Sequence, residues 1–313
     1  MKPLLLCAAL LLPAGALAAD KPAGPAGASA PLPAPTTGFC IFGGQSGLPL
    51  ADPAALRSVL RKSDIIYAGG NDALPADQQA RLELLKTLLK ARPSKIAVGF
   101  DALGMEAQPA LDEYAAGRLS EGEFLNRTGW LTRSAADFSL YRPIFALIIK
   151  HRLRALALGV PGEVIFKVER EGLAALTETE RKFLPERVAV STNTKYLDLL
   201  KAAHARLAAS GAPLAWKNYL ASAAAWSEGA GARVAEFAAA NPGWPVLVLA
   251  GNERFVHNAA LPASVKSRTI RLRQSSFYVQ DAPCPAKLPA GHKDLANYVW
   301  YLDHAAAKEQ TTR

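Results

Sequence analysis

The sequence predicts an α/β domain in which a mostly parallel β-sheet is flanked by helices. Short apolar runs alternate with helix-period runs along the chain, an order typical of a sheet covered on both faces. Buried strands are predicted at Asp64–Gly69, Lys95–Phe100, Ala155–Val160 and Pro245–Leu249. Half of the residues are hydrophobic, which is enough for one sizeable core.

Between these predicted strands, apolar residues recur at the spacing of a helix. Pro75–Ala91 places Leu82, Leu85 and Leu89 on one face, and Lys195–Ser210 has a similar period. A third helix is predicted over Tyr219–Ala240, with Gly229 and Gly231 expected to loosen its middle, and the stop signal Asn241-Pro242-Gly243 follows it.

Two further segments complete the predicted architecture. Residues 105–150 contain no clear strand signal, so several helices packed as a cap or insertion are predicted there. Thr269–Leu272 alternates between polar and apolar residues, as an exposed or edge strand would.

The amino-terminal end has the features of a cleavable secretory signal. Lys2 precedes a short apolar run, and Ala16-Leu17-Ala18 forms a small-x-small cleavage site, so residues 1–18 are assigned as a signal peptide. Residues 19–37 are almost entirely Ala, Pro and Gly and predict a disordered linker. The folded domain is placed at residues 38–303 and a tail at 304–313. After cleavage near Ala18, we expect a periplasmic or secreted protein.

The net charge of +9 limits the partners. Lys and Arg are scattered among Asp and Glu rather than interleaved with aromatic residues, and this pattern does not favour nucleic acid. Anionic small molecules and an anionic membrane surface stay open as partners.

Two cysteines remain after processing, Cys40 and Cys284. In an oxidising compartment they are candidates for a disulfide that would join the first strand region to the carboxyl-terminal segment. Two buried thiols are the alternative, and the sequence leaves both open.

Polar side chains follow the predicted strands where ligands bind in open α/β sheets, beyond the carboxyl ends. These strand ends are Gly69–Asp72, Asp101–Leu103, Gly159–Pro161 and Gly251–Arg254. The standard catalytic motifs are missing, and none of the five histidines has metal-ligand spacing with another His or Cys. His257 differs in lying just beyond a strand end, so it is a candidate ligand-binding residue, and no metal site is predicted.

The strand-end segments resemble the ChaN family of haem-binding uptake proteins, which is related to the Tiki, TraB and erythromycin-esterase-like proteins. The resemblance runs from about residue 60 to 301 and rests on Gly69–Ala73 with Pro75, Gly99–Leu103, Gln108–Asp112, Gly117–Ser120, Trp130, Tyr141–Ile144, Val246–Pro262 and Asn297–Tyr301. It implies the family's fold, a haem ligand and a role in iron uptake.

The chain departs from the family pattern at the positions that carry chemistry. Gly70 and Asp101 stand where Glu is usual, Asp72 and Arg254 where His is usual, and Ala73 where Asp is usual. Gly and Ala offer no ligand atom, and a permanently protonated arginine can neither bind a metal nor act as a base. We therefore expect a non-catalytic, pseudoenzyme-like protein in which Arg254 pairs with Asp101 or Asp72, or meets a ligand carboxylate.

The resemblance implies a tyrosine as the iron ligand, a role that tyrosine fills in haem proteins. Tyr141, Tyr114 and Tyr67 lie in matching segments, and Tyr141 is the first choice among them. The predicted haem-binding set is Tyr141, His257, Arg254, Asn71, Asp72 and Asp101, with an apolar slot from Phe124, Trp130, Phe138 and Phe145.

Two other functions stay open at this point. The first is a metal-dependent hydrolase of the Tiki or esterase-like type, and the second is a non-catalytic scaffold that has lost its ligand. As partners, the haem-binding interpretation implies haem or another small ligand, an outer-membrane uptake partner and a homodimer.

Overall fold

The computed structural model describes residues 39–50, 52–93, 95–133, 136–211 and 214–302. The predicted signal peptide, linker and tail lie outside them. The strands are β1 Phe39–Gly43, β2 Ile65–Ala68, β3 Ala97–Gly104, β4 Arg154–Gly159, β5 Val246–Leu249, β6 Gln274–Gln280 and β7 Tyr298–Leu302. The helices are α1 Pro53–Lys62, α2 Pro75–Ala91, α3 Gln108–Ala115, α4 Glu121–Thr128, α5 Trp130–Arg133, α6 Arg142–His151, α7 Gly162–Glu171, α8 Glu178–Arg181, α9 Thr194–Ala209, α10 Trp216–Ala240 and α11 Leu261–Arg268.

The strands form one sheet in the order β1-β7-β6-β2-β5-β3-β4. Every neighbouring pair is parallel except β1 with β7, which is antiparallel at one edge. The central strands β2 and β5 are buried along their whole length, as parallel strands covered on both faces must be. The predicted fold class, a mostly parallel sheet flanked by helices, is confirmed.

Two groups of helices cover the sheet. On one face α2, α3 and α6 bury a large core that includes Leu84, Leu111 and Ile148. The other face packs α10 and α11 against the sheet through residues such as Val234 and Val265. The described residues between 105 and 150 contain helices α3, α4, α5 and α6 and no strand, in agreement with the predicted helical section.

Helix α10 continues through the two glycines that were expected to loosen it. Both glycines lie where other elements approach closely. A Cβ on Gly229 would meet Val160 Cγ2 at 2.3 Å, and one on Gly231 would meet Ser264 Oγ at 2.2 Å. They are therefore close-packing positions rather than breaks in the helix.

The edge strand expected at Thr269–Leu272 does not form. These residues are a turn between α11 and β6, and the strand begins later, at Gln274, in the interior of the sheet. The alternation has another cause, since Ile270 is 81% exposed while Leu272 packs against the core of the α10 face.

Candidate functional site

The sheet order brings the predicted strand ends together. Strands β2, β5 and β3 are consecutive neighbours, so Asp72, Asp101 and Arg254 lie along one edge of the sheet. We call these three residues the carboxyl-terminal rim. Asn71, the fourth residue predicted in this region, supports a turn, because its Oδ1 accepts a hydrogen bond from the Ala73 amide at 3.0 Å.

Arg254 pairs with Asp101, one of the two carboxylates that the sequence offered. Its Nε donates to Asp101 Oδ2 at 3.1 Å, and both residues are buried. Trp226 completes the arrangement: its Nε1 donates to Asp101 Oδ1 at 2.8 Å, and the Arg254 guanidinium lies 3.5 Å from the centre of its ring. The ion pair is thus held in place by a hydrogen bond and a cation–π contact.

Burial makes the largest single contribution to the pKa of each residue in this pair. Burial raises the pKa of Asp101, and the charge of Arg254 and the hydrogen bond from Trp226 oppose that rise only in part. Burial alone would lower the pKa of Arg254, but the charges of Asp101 and Glu253 raise it overall. Arg254 therefore stays protonated and cannot act as a base.

Asp72 is held by Arg81, a residue that the sequence analysis missed. Arg81 is completely buried and forms an ion pair with Asp72. Its remaining donors bind the backbone oxygens of Gly69 at 3.0 Å, Gly70 at 3.2 Å and Ala250 at 2.8 Å.

A sequence signal for Arg81 does exist. It precedes Leu84 and Leu85 by three and four residues, so it lies on the apolar face of α2. A charged residue at such a position needs a partner inside the protein.

The backbone at Gly70 has no room for a side chain such as glutamate. Gly70 has φ 120°, and a Cβ there would lie 2.7 Å from the Cβ of Asp77. Asp77 in turn accepts a hydrogen bond from the Asn71 amide at 2.6 Å. The local packing therefore requires a glycine at this position.

Tyr141 lies inside the protein rather than facing a ligand. It is 1% exposed and packs its ring 5.0 Å from that of Trp130. Burial, followed by the charge of Asp72, raises its pKa well above the ordinary value. A buried, protonated phenol is a poor iron ligand, so this position argues against Tyr141 in that role.

The other two candidate tyrosines and the residues of the predicted aromatic slot are also buried. Tyr67 is fully buried with its hydroxyl bonded to Gln274, and Tyr114 is 8% exposed and stacks on Phe124. The four slot residues are all at most 3% exposed and contact one another, namely Phe124, Trp130, Phe138 and Phe145. They form part of the core, which corrects the expectation of an open apolar slot.

His257 lies apart from these buried residues, in the wall of a surface pocket. The pocket has a volume of about 520 Å³. Its lining is mostly polar and consists of Gln45, Thr192, Asn193, Thr194, Lys195, His257, Asn258, Asp294, Ala296 and Asn297. We call it the His257 pocket.

The imidazole of His257 is oriented by the backbone. Its Nδ1 lies 2.9 Å from the carbonyl oxygen of Asp294. Because a carbonyl oxygen only accepts, Nδ1 must carry the proton, and neutral His257 then has its lone pair on Nε2. Among the described residues Nε2 has no hydrogen-bond partner. This is the tautomer of metal-binding histidines whose other nitrogen donates to a backbone oxygen.

The backbone around the pocket is unusual. His257, Asn258 and Asp294 all have left-handed conformations, with φ of 59°, 51° and 61°. Non-glycine residues in this region are uncommon, and such strain concentrates at functional sites.

A disulfide fixes one wall of the His257 pocket. Cys40 in β1 is bonded to Cys284, which precedes the pocket residues 294–297. Gly44, just after β1, donates to the Asn297 carbonyl at 2.8 Å and accepts from the Asp294 amide at 3.2 Å. The disulfide and these bonds hold the edge strand and the pocket wall together.

The described part of the chain lacks two further features. No group of three or more His, Cys, Asp or Glu side chains there is arranged to hold a metal ion. None of the helices there has the length and apolarity that crossing a bilayer requires.

The structure of one known protein agrees with this fold. ChaN of Campylobacter jejuni, solved with cofacially bound haem, superposes with a TM-score of 0.61 at 13% identity, covering 84% of this chain and 96% of that one. An erythromycin esterase mutant in its open conformation gives a TM-score of 0.44 at 13% identity and covers 76% of each chain.

Among curated proteins, RETICULATA-RELATED 5 of Arabidopsis thaliana chloroplasts is 25% identical over 130 residues, which is 39% of this chain. The chain spans only 17% of that relative's length. The profile described as haem-binding uptake, Tiki superfamily, ChaN matches residues 56–265. The chain therefore belongs to the ChaN family of haem-binding uptake proteins in the Tiki superfamily.

Proposed function

We propose that this protein binds haem without catalysing a reaction, and that His257 is its iron ligand. The observation that carries the proposal is the free Nε2 of an oriented imidazole in the wall of a pocket of about 520 Å³. Imidazole is a common axial ligand of haem iron, so the donor chemistry at this pocket fits a haem.

Lys195 is the second residue with a role in this proposal. It lines the same pocket, is largely exposed, and lies 3.5 Å from Asp294. An ammonium group at this position can pair with a haem propionate in place of the aspartate. Binding would then require no rearrangement of the buried rim.

The non-catalytic part of the proposal rests on the rim. Asp72 and Asp101 are each bound by a buried arginine, so neither carboxylate is available to activate water. Arg254 cannot take the place of a histidine base. The contacts at the rim thus favour a binding protein over the metal-dependent hydrolase.

Haem titration followed by absorbance tests the proposal. We expect wild-type protein to shift the Soret band, and His257→Asn to weaken haem binding at least tenfold. Tyr141→Phe should leave the spectrum unchanged, as should the control His151→Asn, which alters an exposed histidine at the end of α6. If free haem stays spectroscopically unchanged with wild type, or if Tyr141→Phe alone abolishes the shift, the assignment fails, and the first result would favour the scaffold function.

Export and iron uptake complete the proposal. The apolar segment of residues 1–18 and the family's description as haem-binding uptake proteins support a periplasmic protein that exchanges haem with an outer-membrane partner. Mass spectrometry of the mature chain should show it starting after Ala18. A strain lacking the gene should grow poorly with haem as its only iron source, and normal growth would contradict the uptake role.

A further inference from the structure

Positively charged side chains from segments that are far apart in the sequence lie at the amino-terminal edge of the sheet. Strands β2, β3, β4 and β6 are parallel and so begin at the same edge, opposite the carboxyl-terminal rim. A lysine or arginine stands shortly before each of them: Lys62, Lys95, Arg152 and Arg271, all exposed. We call these four residues and Lys150, at the end of α6, the basic edge.

The cations of the basic edge differ from their neighbours in having no acidic partner among the described residues. Nearby arginines are neutralised: Arg273 pairs with Asp64, Arg154 with Asp112 and Arg268 with Glu228. The basic edge, by contrast, makes no ion pair with any residue that the structure describes. Cations in the last turn of a helix offset the helix dipole, which accounts for Lys62 and Lys150. Lys95 and Arg271 lie in loops, where that explanation does not apply.

An exposed apolar side chain lies beside the cation that precedes β6, which is at one end of these four strands in the sheet. Ile270 is 81% exposed, the highest value among the large hydrophobic side chains that the structure describes. It lies in the turn after α11, directly before Arg271. Trp244, half-buried in the turn that precedes β5, lies at the same edge.

We propose that the basic edge docks on an anionic lipid surface, with Ile270 entering the headgroup region. Unpaired lysines and arginines are attracted to acidic headgroups, and an exposed apolar side chain gains by leaving water at the acyl boundary. A duplex nucleic acid offers the same negative charge but no apolar layer for Ile270. The protein would then lie with its carboxyl-terminal rim turned away from the bilayer.

Vesicle sedimentation tests this orientation without reference to haem. We expect full-length protein to bind vesicles of phosphatidylglycerol and phosphatidylcholine and not to bind vesicles of phosphatidylcholine alone. The bound protein should dissociate as the salt concentration is raised. The triple variant Lys62→Gln/Lys150→Gln/Arg271→Gln should lose at least tenfold in affinity. The control Lys182→Gln/Arg187→Gln/Lys201→Gln removes the same charge from exposed sites elsewhere and should lose less than twofold.

A second pair of variants isolates the apolar contribution. Ile270→Ser should weaken vesicle binding several-fold, whereas Leu131→Ser, at a site 75% exposed, should not change it. Both sites are exposed, so thermal unfolding should confirm that every variant folds. Equal binding to neutral vesicles, equal losses in the two triple variants, or binding only to DNA or heparin would each overturn the proposal.

Discussion

The carboxyl-terminal rim and the His257 pocket differ in whether their polar groups have partners within the protein. At the rim, Asp72 and Asp101 are each bound by a buried arginine. In the pocket, His257 is fixed through one nitrogen while the other has no partner among the described residues. Polar groups that satisfy one another contribute to stability, and a group left unpaired at an accessible position is available to a ligand. This contrast is the basis for our proposal that the rim is structural and that the pocket binds the ligand.

The strongest test of the structural role of the rim is Arg81→Met. This change leaves three backbone oxygens without a donor and removes the partner of Asp72. We expect a loss of about 3 kcal/mol in the free energy of unfolding, the lower part of the range for breaking a buried pair, because Asp72 keeps some access to water. Urea denaturation measures it. Arg187→Met, at an exposed position, should change stability by less than about 0.5 kcal/mol. If the two variants change the free energy of unfolding equally, the buried contacts of Arg81 do not stabilise the protein.

Removing the disulfide tests whether the pocket depends on its wall. Cys284→Ser opens a link between residues 244 positions apart and should cost about 2–4 kcal/mol. Because residues 294–297 follow Cys284 and line the pocket, haem binding should also weaken. Urea denaturation and haem titration under the same conditions check the two effects. If Cys284→Ser leaves the haem affinity unchanged, haem binding at the pocket does not depend on the disulfide.

The pH dependence of stability tests the burial of Asp101. Since burial raises its pKa in the folded state, protonated Asp101 contributes its full stability below the ordinary carboxyl pKa, and that contribution is lost as pH rises through the raised value. Relative to Asp101→Asn, wild type should therefore lose stability from about pH 4 upward.

Asp137 provides a control of opposite sign. Hydrogen bonds from Ser139 lower its pKa, so its contribution is present above the ordinary value and is lost as pH falls. Thermal unfolding across the pH range distinguishes the two cases. Parallel curves for wild type and Asp101→Asn would contradict the assignment.

The smallest expected change in stability is for His257→Asn. Asparagine tolerates the left-handed backbone at this position, so the free energy of unfolding should change by less than about 1 kcal/mol. Haem binding should nevertheless weaken at least tenfold, because the amide offers no imidazole nitrogen. A variant as unstable as Arg81→Met would show that the pocket, like the rim, is a structural feature.

Much of the fold follows from patterns that are local in the sequence. The apolar runs at Ile65–Ala68 and Val246–Leu249 became central strands because uninterrupted apolar residues suit a sheet buried on both faces. Helix α2 has the predicted bounds, Pro75–Ala91. The sequence analysis placed a strand near Cys40 without bounds and did not predict β7, because the signal of these two strands depends on pairing with each other across most of the chain.

The site shows where local patterns stop being sufficient. The sequence by itself determined the family and the sheet whose strand ends meet, since both follow from residue type and order. Only the tertiary structure decided that Arg81 and Arg254 bind the two carboxylates, that Tyr141 is buried, and that His257 opens onto a pocket. The physical reason is that burial and hydrogen-bond partners depend on groups brought together from distant parts of the chain.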